Sequence, residues 1–461
     1  MKHLRYLISL IFTFGLILCF TPPALAFCGF YVAKADTRLY NKASQVAIAR
    51  NGDRTILTMA NDYQGDVKDF ALVVPVPTVL QKGQVRVGDP KIMERLDAFS
   101  APRLVEYFDS NPCAHNRFYE DRAIPQAAPA MKKAGASRRR NSLGVTVEAR
   151  FNVGEYDIVI LSAKESGGLK KWLIGNGYKI PRGARRLLRP YIRQNMKFFV
   201  AKVNLQKFQS NGYQFLRPLQ IAYESPKFML PIRLGMMNSN SPQDLIVYIL
   251  SPKGQAQVTN YRTVQIPSNQ EIPTFIKGEF SNFYKSMFQN AYTKEDRKVA
   301  FLEYAWDMSS CDPCSANPLN REEMKKAGVF WLDDAPNPGI TPRRRPPIRT
   351  PFPPRSHSVF LTRLHVRYTR DKFPEDLMFQ ETSNRQLFQG RYVLRHPYTG
   401  EANCQAGRKY KQSLPRRFEK EAQTLAKLTT WNIQDIRNKM KLDDQGTTPW
   451  WQNFFKWLKF L

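Results

Sequence analysis

Short runs of Val, Ile, Leu, Phe and Tyr, broken by turn residues, recur along the chain. QVAIARNGDRTILTMAND (45–62), FALVVPVP (70–77), EYDIVILSA (155–163), MKFFVAKVNL (196–205), DLIVYILS (244–251) and SVFLTRLHVRYT (358–369) have the length and β-branched or aromatic content of strands. Asn51-Gly52 stands between two such runs and predicts a hairpin, because both residues tolerate positive φ. Asp69, Asp157, Asp244 and Asp376 each precede an apolar run; a turn carboxylate at a strand entrance explains them without a site.

Elsewhere the apolar period lengthens to that of a helix. LKKWLIGNG (169–177) closes on Asn-Gly, and PLNREEMKKAG (318–328) has Pro early and Gly at its stop. Ile276, Phe280, Phe283, Tyr284, Met287, Phe288 and Ala291 form one helical stripe; within RRFEKEAQTLAKLTTW (416–431), Phe418, Ala422, Leu425, Ala426 and Trp431 form another. Both read as core packing. The predicted fold class is α+β: β-rich, mostly antiparallel sheets in sandwich-like layers, with several packed amphipathic helices.

Composition divides this pattern. Residues 121–142 are Ala, Pro and Arg with few packing side chains, and 334–356 are Pro-rich and basic, so both read as exposed loops. The predicted organisation is a leader (1–26), an N-terminal β-rich unit (27–120), a loop (121–142), a central α+β unit (143–333), a second loop (334–356), a C-terminal hairpin-plus-helix unit (357–442), and a joint with an aromatic tail (443–461). The leader has Lys2 and Arg5, an apolar run from Tyr6 to Phe20, and the small-x-small site Ala24-Leu25-Ala26. It predicts export, to a periplasmic, extracellular or outward-facing membrane location. Phe27 before Cys28 excludes a lipoprotein signal.

The formal net charge is +31. A secreted chain this basic is expected to meet a membrane surface or an anionic envelope polymer. No nucleic-acid module is visible, and no specific nucleic-acid partner is expected. Arg182, Arg185, Arg186 and Arg189 fall at helical spacing on one face, over two turns that Pro190 is expected to end. Forked guanidinium contacts to phosphate or carboxylate are the functional reading of that face; a solvated surface is the plain one. Arg343, Arg344 and Arg345 add a second basic cluster within the Pro-rich loop.

Five cysteines follow the leader: Cys28, Cys113, Cys311, Cys314 and Cys404. In an oxidising compartment they are disulfide candidates, with connectivity open. Cys311 and Cys314 are spaced as a thiol–disulfide exchange pair, the principal enzymatic alternative. Pro318 breaks the helix start that such a site needs, so a structural disulfide is the plainer reading. The histidines lack metal-ligand spacing, and no metal or cofactor is expected. Hydrolase, P-loop and dinucleotide motifs are missing, which leaves a motif-less hydrolase as the other alternative.

Several stretches taken together resemble one bacterial family. FCGFYVAKAD, LTMANDYQGD, FALVVPVPTVL, WLIGNGYKIP, LPIRLGMMN, FLEYAWDMSSCDPC, LTRLHVRYTRDKFPEDLMFQ and RYVLRHPYTG are similar to the family catalogued as domain of unknown function 2330, from about Phe27 to Lys441. That resemblance implies an exported protein with an uncharacterised envelope role, and it carries no activity or catalytic residue.

The chain ends TTPWWQNFFKWLKFL. Thr448 suits an N-cap and Pro449 the first helical position. Trp450, Trp451, Phe454, Phe455, Trp457, Leu458 and Leu461 then share a broad face opposite Lys456 and Lys459. At about 20 Å such a helix is too short to span a bilayer. Its composition fits a helix lying in the membrane interface; docking on the protein's own core is the alternative.

Overall fold

Tyr40–Asn51 and Arg54–Gln64 form the expected hairpin, one residue later than Asn51-Gly52 suggests. Asn51 still pairs with Arg54, and the turn closes over Gly52, at φ 61°, and Asp53. The computed structural model describes residues 30–33, 40–64, 70–114, 145–176, 184–210, 216–237, 242–310, 316–332 and 359–441. The leader, both Pro-containing loops (121–142 and 334–356) and the aromatic tail lie outside these residues.

The hairpin belongs to a nine-stranded sheet. Its strand order is Arg262–Gln265, Val299–Asp307, Phe360–Tyr368, Gln243–Ser251, Tyr40–Asn51, Arg54–Gln64, Leu219–Glu224 and Val85–Val87, with Phe388–Gln389 paired beside Val299–Asp307. Most pairs are antiparallel; Gln243–Ser251 runs parallel to Tyr40–Asn51. This sheet takes strands from all three stretches 27–120, 143–333 and 357–442.

A five-stranded sheet packs face to face on it, ordered Phe30–Ala33, Phe70–Val76, Lys197–Val203, Tyr156–Ala163 and Val145–Val153. Period-two alternation supplies the shared core: Ile48, Leu57 and Val247 meet Val74, Ile160 and Phe199. Burying each such side chain stabilises the fold by about 1.5–3 kcal/mol. The fold is α+β and β-rich, with mostly antiparallel sheets in layers, as the periodicity implies.

Helices cover the outer faces. Pro90–Ser100 and the segment around Leu319–Leu332 lie on the outer face of the large sheet. Ile276–Lys294, Gln405–Thr429 and Ile433–Met440 pack over Phe301 and over a small parallel sheet of Gln270–Glu271, Arg391–His396 and Arg103–Phe108. Ser166–Gly175 and Ala184–Arg193 cover the outer face of the five-stranded sheet.

Three helix boundaries differ from expectation. Pro190 does not end its helix, which continues to Arg193. Leu188 and Tyr191, both fully buried, anchor the chain on either side of the proline, and the Tyr191 hydroxyl donates to Asp376 at 2.6 Å. That packing outweighs the local penalty of the missing N–H. Pro415 is likewise internal to Gln405–Thr429, so this helix begins at its Cys404 cap. The helix expected over 318–328 is confined to Arg321–Lys326, because Asn320 and Glu323 form a reciprocal cap that sets its start.

Candidate functional site

The two helices over the five-stranded sheet carry a concentrated positive charge. Ala184–Arg193 presents Arg185, Arg186, Arg189 and Arg193 to solvent while Leu188 and Tyr191 face the sheet. Ser166–Gly175 lies against it and adds Lys170 and Lys171. Neither helix contains an Asp or Glu. No carboxylate among the described residues pairs with any of these six cations. Ile174, 52% exposed, and the half-buried Trp172 add apolar surface beside them. A cationic face with apolar side chains at its edge can hold phosphates by charge and rest on an apolar layer.

Asp97, Arg363, Glu303, His365, Asp244 and Arg367 form a chain of alternating charge on the opposite side of the sandwich. Arg363 donates to Asp97 Oδ1 and Glu303 Oε2, each at 2.6 Å. His365 Nδ1 lies 2.8 Å from Glu303 Oε1, and its Nε2 lies 3.0 Å from Asp244. Arg367 grips both Asp244 oxygens, at 2.7 and 2.9 Å. Strand register builds this row: Arg363, His365 and Arg367 alternate along one face of Phe360–Tyr368, and Asp244 is the direct partner of Arg367. Helix Ile276–Lys294 closes over it, with Tyr284 donating to Glu303 and Phe288 stacked 4.0 Å from the His365 ring.

Charge pairing here overrides burial. Burial favours a neutral Glu303, yet His365, Arg363 and the Tyr284 hydroxyl hold its carboxyl down to about 2. Burial also opposes a proton on His365, but Glu303 and Asp244 hold its pKa above the ordinary 6.5. The imidazolium then balances the row, and both ring nitrogens are committed to carboxylates. This His has no lone pair to offer a substrate, so the row is a tie between sheet and helices.

Its titration has a definite sign. A His whose folded pKa is raised stabilises fully below its unfolded value and loses that contribution as pH rises through the folded value. We expect wild-type stability relative to His365→Gln to be largest below pH 6.5 and to shrink above it. Urea unfolding of both proteins across pH 5–9 measures that difference; a constant difference would contradict the charged assignment.

A third cluster lies where the small parallel sheet meets helix Gln405–Thr429. Cys113 and Cys404 form a disulfide there, across a sequence separation of 291. Cys404 also caps the helix, its Sγ accepting from the Gly407 N–H at 3.2 Å. Nearby, Asp109 accepts from Tyr410 at 2.6 Å, Arg417 at 2.5 Å and Arg395 at 3.3 Å. Burial pushes the Glu421 carboxyl, 3.5 Å from Arg417, up to about 7.

Of the residues singled out by sequence, the structure brings Cys113 to Cys404 and places Arg185, Arg186 and Arg189 on one exposed helix face. Arg193, missed because Pro190 appeared to end the helix, joins them. Cys28, Cys311, Cys314, Arg182, Arg343, Arg344, Arg345 and the tail positions Trp450, Trp451, Phe454, Phe455, Trp457, Leu458 and Leu461 lie outside the described residues. Asp244 and Asp376, read as strand-entrance residues, are ion-paired, Asp244 partly buried and Asp376 buried; Asp376 also accepts from the Ile232 N–H at 3.0 Å. Among the described residues, no three His, Cys, Asp or Glu side chains gather as a metal-holding group.

No curated protein and no solved structure matches the chain. One family model does, over residues 22–380, which includes the central strands and the cationic helix pair. The chain therefore belongs to the family described as an uncharacterized protein conserved in bacteria (DUF2330).

Proposed function

We propose that this protein is exported and works, without catalysis, as a peripheral binder of an anionic membrane surface. The observation that carries this reading is the cationic face of Ser166–Gly175 and Ala184–Arg193, two helices that contain no Asp or Glu. Basic side chains near an anionic leaflet each add about 1 kcal/mol of attraction. The exposed Ile174 adds an apolar contact that salt does not screen.

Three further features support it. The leader sequence at 1–26 directs export, and the Cys113–Cys404 disulfide suits an oxidising compartment. The tail sequence pairs Trp450, Trp451, Phe454 and Phe455 with Lys456 and Lys459, the composition of an interfacial segment.

Co-sedimentation of the mature protein with vesicles tests the reading. Binding is expected to anionic vesicles and to be weak on neutral ones. Replacing Arg185, Arg186 and Arg189 with Gln should weaken it on the order of 100-fold, from three lost attractions of about 1 kcal/mol. A chain ending at Asp444 should lose the salt-resistant fraction. Unchanged binding by the Gln variant, with retention of the parent on a soluble anionic polysaccharide, would replace the membrane by an envelope polymer.

A further inference from the structure

A second basic site lies away from the cationic helix pair, on the outer face of the large sheet near its Val85–Val87 edge. It is a cleft of about 380 Å³, bounded by strands Arg54–Gln64, Leu219–Glu224 and Val85–Val87 on one side and by helix Arg321–Lys326 with its exit on the other. Arg54, Arg86 and Lys325 line it, and no Asp or Glu does.

The cleft's walls are fixed by buried contacts. Gln220, 2% exposed, is the direct cross-strand partner of Arg86 and accepts a hydrogen bond from its Nε. The Gln220 amide nitrogen donates in turn to Thr58 Oγ1 at 2.6 Å and to the Lys326 carbonyl at 3.2 Å. Arg86 Nη2 reaches the Lys325 carbonyl at 3.4 Å, tying the sheet edge to the helix end. Gly328, at φ 102°, keeps the far wall close to the sheet: a Cβ there would sit 2.7 Å from the Ile56 Cγ2. The cleft therefore has a defined width rather than a loose mouth.

Arg54 is held differently. Its guanidinium lies 4.5 Å over the Phe330 ring, and no carboxylate among the described residues pairs with it. Glu224, its cross-strand partner, forms no ion pair with it. Of the acids close to these residues in sequence, Asp89 is engaged by Lys326 at 3.4 Å, Glu323 by Arg95 at 3.0 Å, and Asp53 lies 3.8 Å from Arg50. The Arg86 Nη1 edge has no hydrogen-bond partner among the described residues.

We propose that this cleft binds a phosphate group, presented by a small soluble ester or by a lipid headgroup. Two guanidinium forks match phosphate oxygens in geometry. The positive charges of Arg54 and Arg86, with Lys325 in the same lining, suit a monoester, whose charge near neutrality is about −1.5 to −2. The Phe330 ring keeps Arg54 ordered, so little side-chain freedom is lost on binding. The proposal does not rest on the membrane reading, because a soluble phosphate ester satisfies it.

The test is calorimetric titration of the full chain with glycerol 1-phosphate and inorganic phosphate at fixed ionic strength, with acetate as comparator. Saturable one-site binding is expected with both phosphates and not with acetate. Arg54→Gln/Arg86→Gln should weaken it at least tenfold. Lys409→Gln/Lys411→Gln, which removes equal charge at exposed positions of helix Gln405–Thr429, should leave it within twofold. Arg54→Gln alone, which disturbs only the Phe330 contact, guards against misfolding of the double variant. Binding to phosphatidic acid vesicles that depends on Arg54, with none to the soluble ester, would assign a lipid source. Equal losses in both double variants, equal binding of acetate, or no Arg54-dependent binding to either phosphate source would overturn the proposal.

Discussion

Replacing Glu303 by alanine is expected to destabilise the fold by about 3–5 kcal/mol, the range for removing one partner from a buried ion pair. Glu303 is 1% exposed and its two oxygens serve Arg363, His365 and Tyr284. Without it, a buried guanidinium loses one of its two carboxylates, a raised imidazolium loses one of two, and a partly buried hydroxyl loses its acceptor. The penalty is mostly that of stranded partners rather than of the lost attraction. Urea unfolding measures it, and the double variant Glu303→Ala/Arg363→Ala should be less destabilised than the two single losses added together. A single-variant loss below about 1 kcal/mol would show that the row is solvated or rearranges, and would remove it as the tie between helix Ile276–Lys294 and the sheet.

The second large effect belongs to the disulfide. Cys113→Ser/Cys404→Ser should lower stability by about 2–4 kcal/mol, since the bridge restricts a very long loop in the unfolded chain. It also fixes the N-cap of Gln405–Thr429, so fraying should start at that end. Leu425, fully buried near the other end, should keep that end docked. Hydrogen exchange by segment distinguishes the outcomes: faster exchange confined to the helix's first turns fits the bridge as a local staple. Exchange unchanged throughout, with stability also unchanged, would mean that neighbouring contacts such as Asp109 with Tyr410 and Arg417 suffice.

The strands were legible because alternation reports which face is buried, and every apolar run singled out lies on one. The ionic row was not. In LTRLHVRY, Arg363, His365 and Arg367 alternate with Leu364, Val366 and Tyr368, a pattern that normally marks a solvated face. Here helices cover that face, and the acids that neutralise it come from positions 97, 244 and 303. Their distance along the chain hides the pairing. Alternating cations inside an otherwise apolar strand were the only available signal. Prolines misled in a related way: Pro190 and Pro415 lower local helix propensity, but buried side chains on both flanks of Pro190 keep the helix intact. The phosphate cleft was invisible for a simpler reason, since Arg54, Arg86 and Lys325 meet only through sheet register and the close approach at Gly328.

Hydrogen exchange on the protein bound to anionic vesicles tests the membrane reading most directly, because it reports which surface the lipid covers. Residues 166–175 and 184–193 are expected to exchange more slowly on vesicles than in solution, while the helix Pro90–Ser100 on the opposite face exchanges equally in both. Protection of Pro90–Ser100 with none at 184–193, or no protection anywhere while the protein sediments with the lipid, would contradict the assignment of the cationic helix pair as the binding face.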